Sequence, residues 1–529
     1  MALRCGAGAR ASRGAGVRGK MTVRRDIAAG LVWATAERWG RHVLSFVVYV
    51  ALARLLAPEA FGLVALAAVV TSFCQLFVSQ GFGTAIIQRE DLRDAHLDTA
   101  FWISLALSTG LFVVMVLAAG PIAAVAGEPG LAPVLRWLAA VVPINSLASV
   151  PAASLTRQMR FRPLAVRSTL GVLAGGAAGV GMALAGFGVW SLVGQQLTAA
   201  VVGVAALWSA SRWRPGLRAE RRAFGELFGF SANVLATNVL WFFSQQLDKA
   251  VIGVGLGPVA LGVYFLAQRL MTLVLDLLTA PLQAVALPWM SRKQADRAAL
   301  GAAYSRALRL AGLVMFPVFF GLATVAREVT PMVFGAVWAD AGPVLAVLAI
   351  AAALRGAQTF VHPVMMAAGR PGVFLSIMVA HTAWTTAAIV AGYRFGAVGV
   401  AWAMVASSAI ALAVNAVALR ALAGVSIRTQ ASSVFGPAVA SVVMAGAVLA
   451  MRRALPGATP PIVVVAASVV LGVGVFAAGS WWLCRDAARD AVAVARRIAG
   501  ARGDDTPSAP DHSPATDPSP VTPEMAAAS

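Results

Sequence analysis

Long apolar stretches recur from Gly30 to Trp482, many of them close to the ~20 residues that an α-helix needs to cross a ~30 Å hydrocarbon core. A backbone in lipid must satisfy its own hydrogen bonds, so such a chain spans the bilayer as helices or as a closed barrel. The runs are uneven and do not alternate, which argues against a barrel. Composition agrees: 59% of the 529 residues are apolar and 12% are charged, where soluble proteins have roughly 45–50% and 25%. The expected fold is an all-α membrane protein with about fourteen transmembrane helices. They are placed near 30–53, 61–86, 97–120, 132–155, 164–185, 188–208, 228–252, 258–285, 304–326, 341–367, 373–392, 396–421, 434–451 and 461–483.

The segments outside these spans are short. Residues 1–26 are expected to form a disordered cytoplasmic N-terminus. The first twenty are rich in Gly, Ala and Arg and lack the apolar core of a signal peptide. Met21 opens a more typical cytoplasmic start, Thr22-Val23-Arg24-Arg25-Asp26. Residues 27–210 should form a first six-helix lobe, 211–227 a cytoplasmic linker, 228–421 a second six-helix lobe, and 434–483 two added helices. Charges among small apolar residues at 484–502 read as a helix lying in the interface. The Pro-, Asp-, Ser- and Thr-rich 503–529 reads as a disordered tail. Cys5, Cys74 and Cys484 lie far apart and show no metal spacing, which argues against a disulfide framework or a zinc site.

The net charge of +20 does not mark a nucleic-acid surface, because the basic residues follow a topology rule. Of 42 Lys and Arg, 31 fall on one side of the expected helices, 5 on the other and 6 inside spans. Both termini therefore face the cytoplasm.

Leu56-Ala57-Pro58-Glu59-Ala60-Phe61-Gly62-Leu63-Val64-Ala65-Leu66-Ala67 aligns with Leu256-Gly257-Pro258-Val259-Ala260-Leu261-Gly262-Val263-Tyr264-Phe265-Leu266-Ala267, with six of twelve positions identical. Both copies are the turn from an odd-numbered helix into the next. Six helices separate them, so the halves share one orientation, related by a pseudo-twofold axis along the membrane normal.

Polar residues inside the spans line up by helical period. The first helix gives Thr35, Arg38, His42, Ser45 and Tyr49, and the second gives Thr71, Gln75 and Ser79. The seventh gives Asn233, Thr237, Ser244 and Asp248, with Asn238, Gln245 and Lys249 alongside. The eighth gives Arg269, Thr272, Asp276, Thr279 and Gln283. These faces should line one wet cavity between two halves. Its candidate site residues are Glu37, Arg38, Arg41, Asp248, Lys249, Arg269, Asp276 and Arg355. The cavity is net basic and suits an anionic cargo, since arginine grips phosphate oxygens in pairs.

Blander readings stand beside these. Glu37 and Arg41 are four apart and could neutralise one another. Asp248 and Lys249 lie near the outer end of their helix, where they could be interfacial. Arg355 shares a helical face with Thr359 and His362. His42, His362 and His381 could relay protons, although isolated histidines are more often structural. Gly171, Gly175 and Gly179 read as close helix packing. There is no Walker-type phosphate loop, no soluble segment long enough for a catalytic domain, and no metal cluster in the pattern.

The stretch Arg54-Leu55-Leu56-Ala57-Pro58-Glu59-Ala60-Phe61-Gly62, running on to Gln80-Gly81-Phe82-Gly83-Thr84-Ala85-Ile86-Ile87-Gln88-Arg89, resembles the oligosaccharide flippase family of the Wzx and lipopolysaccharide-biosynthesis type. Gln246-Leu247-Asp248-Lys249-Ala250-Val251-Ile252-Gly253 and Leu261-Gly262-Val263-Tyr264 carry the likeness into the second half. The resemblance spans residues 24–480 and implies a fold of the multidrug/oligosaccharidyl-lipid/polysaccharide exporter superfamily. It implies a non-enzymatic, alternating-access carrier in the bacterial inner membrane that flips undecaprenyl-pyrophosphate-linked oligosaccharides. It also implies H+ or Na+ coupling without a bound cofactor, contact with membrane lipids, and work alongside polysaccharide polymerase and export proteins. An ion-coupled drug exporter or a lipid II flippase would share the fold. A membrane-embedded glycan polymerase would need a larger outer loop than the ~15 residues expected here.

Reporter fusions test the topology. Reporters joined after residues 216 and 483 should both be active only as cytoplasmic probes, and one joined after residue 338 only as a periplasmic probe.

Overall fold

The computed structural model describes residues 40–79, 83–89, 91–216, 220–291, 296–367, 369–456 and 459–483. The side chains of 79, 84, 88, 221–237, 280–289, 291, 367 and 371 are not described within it. The expected terminal segments, the interfacial helix at 484–502, Thr35, Glu37 and Arg38 therefore lie outside the described residues, as do the side chains of Asn233, Thr237 and Gln283.

The described chain is helical. In order it forms α1 (40–55), α2 (Pro58–Ser79), α3 (Gly83–Gln88), α4 (Asp94–Ala126), α5 (Leu131–Ala139), α6 (Val141–Ser146), α7 (Ser149–Arg157), α8 (Phe161–Leu184) and α9 (Trp190–Ala210). It continues with α10 (Arg221–Ser291), α11 (Arg297–Phe334), α12 (Ala341–Ala357), α13 (Val361–Ala367), α14 (Pro371–Gly392), α15 (Gly396–Ala423), α16 (Ile427–Ala454) and α17 (Pro461–Leu483). Eleven stretches among the described residues are long and apolar enough to span a membrane. The expected figure of about fourteen differs from this in identifiable places. Helix α1 is described only from residue 40, and two of the eleven stretches contain a reversal.

The first reversal is at Gly257, whose φ of 83° and ψ of 176° leave the helical region inside α10. Gln268 donates to Asp248 Oδ2 at 2.7 Å. Twenty residues of unbroken helix would separate them by ~30 Å, so the arms 221–256 and 258–291 fold back on each other. Pro258 and Pro58 both open a helix, where a missing N–H costs nothing. The second reversal is the 3-10 turn Tyr393–Phe395, after which Trp384 of α14 meets Ser407 of α15 at 3.1 Å.

A finer break was not expected. The fourth span, taken as one helix over 132–155, is divided into α5, α6 and α7. Pro151 has no N–H to offer Leu147, and the indole of Trp208 donates to that carbonyl at 2.9 Å instead. The tenth span is likewise divided, α12 ending at Ala357 and α13 starting at Val361.

α8 packs along α9, and α5 and α6 fill the space between α2, α4 and α9. α11 packs on α12 and α16, α14 on α15, and α17 lies outermost against α16 and α11. As expected, the small residues of α8 admit close packing: a Cβ on Gly175 would come within 2.6 Å of Gln195 O on α9.

The two copies of the repeat touch each other reciprocally. A Cβ on Gly62 would overlap the Pro258 carbonyl, and one on Gly262 would overlap the Pro58 carbonyl. Around this crossing the halves are latched. Arg54 donates to Met332 O at 2.7 Å and Val333 O at 2.8 Å, and Trp338 donates to Ala53 O at 2.7 Å. Phe61 stands edge-on to Trp338 at 5.2 Å and to Tyr49 at 5.4 Å.

The connection between halves is also docked. Gly216 donates its N–H to buried Asp98 on α4 at 3.0 Å, and Trp102 donates to Gly216 O at 2.8 Å. Trp213 packs into Phe101 and Trp208, over which Arg214 lies at 5.5 Å. The stretch 211–216 is thereby held to the first half.

Gly62→Ala and Gly262→Ala should each cost roughly 1–3 kcal/mol through overpacking and lower the midpoint of thermal unfolding in detergent. Gly110→Ala, where nothing lies within 4 Å, should leave that midpoint unchanged or slightly raised.

Candidate functional site

The reversal at Gly257 brings the two arms of α10 together around one carboxylate. Asp248 is 3% exposed and so lies inside the protein. Its Oδ2 accepts from Tyr264 Oη at 2.8 Å and from Gln268 Nε2 at 2.7 Å, and its Oδ1 accepts from the Lys249 N–H at 2.8 Å. Three donors fix its geometry and offset the cost of burying its charge.

Lys249 points the other way and donates to Gln246 Oε1 at 2.7 Å. It shares a cavity of about 180 Å³ with Ser244, Gln245, Asp248, Gln268 and Arg355. Arg355, in the last turn of α12, is within electrostatic reach of Lys249 and Tyr264. Two cations against one carboxylate leave this pocket net positive, at a depth where an uncompensated charge is expensive.

Three of the eight expected site residues, Asp248, Lys249 and Arg355, thus line one pocket. Arg41 lies on the other half and donates to Ser168 on α8 at 2.7 Å. Arg269 and Asp276 lie exposed on α10, with Arg269 in electrostatic reach of Tyr49 on α1. Glu37 and Arg38 are outside the described residues. The face joining Arg355, Thr359 and His362 does not form, because α12 ends at Ala357. His362 instead lies exposed and edge-on to Phe374 at 4.8 Å. His381 packs on Trp384 at 5.4 Å, within 3.5 Å of Ser407.

The sequence reading missed two features here. Phe73 and Phe77 of α2 cluster with Phe242 and Phe243 of α10, an aromatic seam between the halves. Arg167 was not among the expected site residues, yet it is the seventh residue of α8 and lines a cavity with Gln75 and Asn145. A period scan extended to small polar residues beside Arg167 would have found it.

Comparison with known proteins shows where this arrangement belongs. Residues 51–343 match the family described as polysaccharide biosynthesis protein, more than half of the chain. The chain belongs to that family.

Curated relatives align over most of the chain. The succinoglycan biosynthesis transport protein ExoT of Rhizobium meliloti is 29% identical over 374 residues, 70% of this chain and 74% of that protein. The lipopolysaccharide biosynthesis protein WzxC of Escherichia coli is 24% identical, over 72% of this chain and 78% of its own length. Among solved structures, the lipid II flippase MurJ in an inward closed conformation superposes with a TM-score of 0.70 at 13% identity, over 85% of this chain and 98% of that one. An inward-facing multidrug transporter of the MATE family, from the MOP superfamily, gives 0.55 at 17%, over 72% and 95%. At these identities the likeness establishes the fold. This family member has the expected MOP fold.

Asp248→Ala should strand the Tyr264 hydroxyl and the Gln268 amide and cost roughly 1–3 kcal/mol per group left unpaired. Asp248→Asn, which keeps an acceptor, should lose less. Thermal unfolding of the three proteins in one detergent checks the order.

Proposed function

We propose that this chain is a flippase, not an enzyme, which carries an oligosaccharide linked to polyprenyl diphosphate across the inner membrane by alternating access. The observation that carries the reading is the pairing of a latch at one end of the molecule with charged pockets within the membrane. Two halves of a polysaccharide biosynthesis protein meet at the Gly62–Pro258 and Gly262–Pro58 crossing. Lys249, Arg355 and Arg269 lie in the membrane-spanning segments below it.

In this reading the latched end faces the periplasm, both termini and the 211–216 connection face the cytoplasm, and the chain is in its inward-facing state. The diphosphate is drawn from the cytoplasmic leaflet to Arg269 and Arg38, with Lys249 and Arg355 deeper along the path. Guanidinium forks suit its oxygens. The buried Tyr49 hydroxyl, without a partner among the described residues, lies beside that path. An apolar groove of about 560 Å³ between Val274, Leu322, Val325, Met444, Val469 and Phe476 offers the polyprenyl chain a place outside the polar path. Transport requires the outward state to be stabilised by the cargo more than the inward one, since equal affinity for both moves nothing. The products would pass to the polysaccharide polymerase or export machinery.

The same fold serves lipid II and drug export, and the net positive pocket favours a diphosphate over cationic drugs. The test is flipping of a fluorescent polyprenyl-diphosphate oligosaccharide in proteoliposomes. Arg269→Ala and Arg38→Ala should each slow it about tenfold or more, the loss of one charge-assisted contact, with unfolding midpoints kept. Unchanged rates in both variants would remove these arginines from the mechanism.

A further inference from the structure

A second polar cavity lies in the first half, away from Asp248. It measures about 440 Å³, within the ~300–1,000 Å³ common for small-molecule sites. Its walls come from α2, α3, the divided α6–α7 helix and α8. The division is itself informative, because irregular backbone at membrane depth persists only where protein buries it or where it lines a wet cavity. Here α7 contributes Ser149, Ala152 and Thr156 to the lining, and α6 contributes Asn145.

The lining has two characters. Val78, Ile87 and Val142 form an apolar wall, while Gln75, Asn145, Ser149 and Thr156 offer polar groups. The hydroxyls of Ser149 and Thr156 donate to Ser146 O and Ala152 O, both at 2.8 Å, which leaves their oxygens free to accept. The side-chain amides of Gln75 and Asn145 have no hydrogen-bond partner among the described residues. Such a mixture matches a sugar ring, which presents hydroxyls at its edge and C–H groups on its faces.

Arg167 gives the cavity its charge. It is half-buried within α8, and among the described residues no carboxylate lines the cavity and no ion pair or hydrogen bond joins it to another side chain or backbone group. A guanidinium held in a membrane segment without a counter-charge is unfavourable unless a ligand supplies one. A single planar fork matches a single carboxylate through two parallel N–H···O bonds. A diphosphate carries more charge than one arginine balances.

We propose that this cavity is a glycan-recognition subsite and that Arg167 binds the carboxylate of an acidic sugar, a uronate or a carboxylate-bearing ketal, while Gln75 and Asn145 bind its hydroxyls. The proposal rests on the flippase reading and adds the class of sugar carried.

The experiment uses the full chain in proteoliposomes with two synthetic polyprenyl-diphosphate disaccharides, alike except that one ends in glucuronate and the other in glucose. The wild type should flip the glucuronate form about tenfold faster or more, the worth of one bidentate charged contact. Arg167→Gln should abolish that preference by slowing the glucuronate form alone, and Arg167→Lys should keep part of it. If Arg167→Gln does not fold, Asn145→Asp should neutralise the arginine and erase the preference, whatever it does to the hydroxyl contacts that both sugars share. Equal wild-type rates for both substrates would overturn the proposal. So would equal slowing of both by Arg167→Gln, which would assign the arginine to the shared diphosphate or to structure.

A readout independent of flipping separates this proposal from its premise. Sodium glucuronate should raise the unfolding midpoint of the detergent-solubilised wild type, glucose with matched sodium chloride should not, and Arg167→Gln should lose the shift. Flipping of neither lipid together with this shift would sink the flippase reading and keep the site. Absence of the shift would count against the site.

Discussion

The molecule depends on one close approach of backbones, the crossing where Gly62 meets Pro258 and Gly262 meets Pro58. Lipid tails are as apolar as leucine, so no hydrophobic force drives one half onto the other. Contact must come from packing and from interhelical hydrogen bonds, both of which need short distances. Glycine provides them by removing the side chain at the point of contact, and proline opens each helix there without leaving an unpaired donor. Because the contact is reciprocal, forming it fixes the relative orientation of both halves at once. Everything towards the other end of α1, α2 and the two arms of α10 is then positioned by that orientation, including the Asp248 pocket and the aromatic seam.

Much of this was readable from the chain because membrane constraints are strict. A helix must be long and apolar to cross, so the positions of the spans followed from length and hydropathy. The repeat at Leu56 and Leu256 was visible as identity, and the reciprocal contact accounts for the identical prolines and glycines in the two copies. Arg54 and Trp338 escaped notice as partners because their contacts join residues some 280 positions apart, and no periodicity reports such pairs.

The errors also have physical causes. The burial of Asp248 could not be read from its place near a helix end, because the fold-back at Gly257 is what surrounds it with Tyr264 and Gln268. Arg167 was passed over because it lies near a span boundary, although an arginine stem can reach well into a helix bundle. The division of the fourth span was written in Pro143 and Pro151, but proline is common enough in membrane helices that its presence does not by itself announce a break. The satisfied Leu147 carbonyl, held by a tryptophan far along the chain, is what makes this one stable.

The broken helices recur in both halves, and each lies beside a polar cavity with an embedded arginine: Arg167 near α6–α7, and Arg355 where α12 gives way to α13. Two cationic pockets held on opposite halves have a consequence for motion. An anionic ligand that touched both would draw the halves together, whereas in its absence the like charges favour separation wherever the latch does not hold them. The latch is three hydrogen bonds from Arg54 and Trp338 plus the glycine crossing, each bond contributing about 0.5–1.5 kcal/mol. Its strength therefore lies within the few kcal/mol that differential cargo binding supplies. A latch of larger area would hold one state permanently. The small residues at the crossing keep the contact tight yet narrow, as the proposed alternating-access carrier requires.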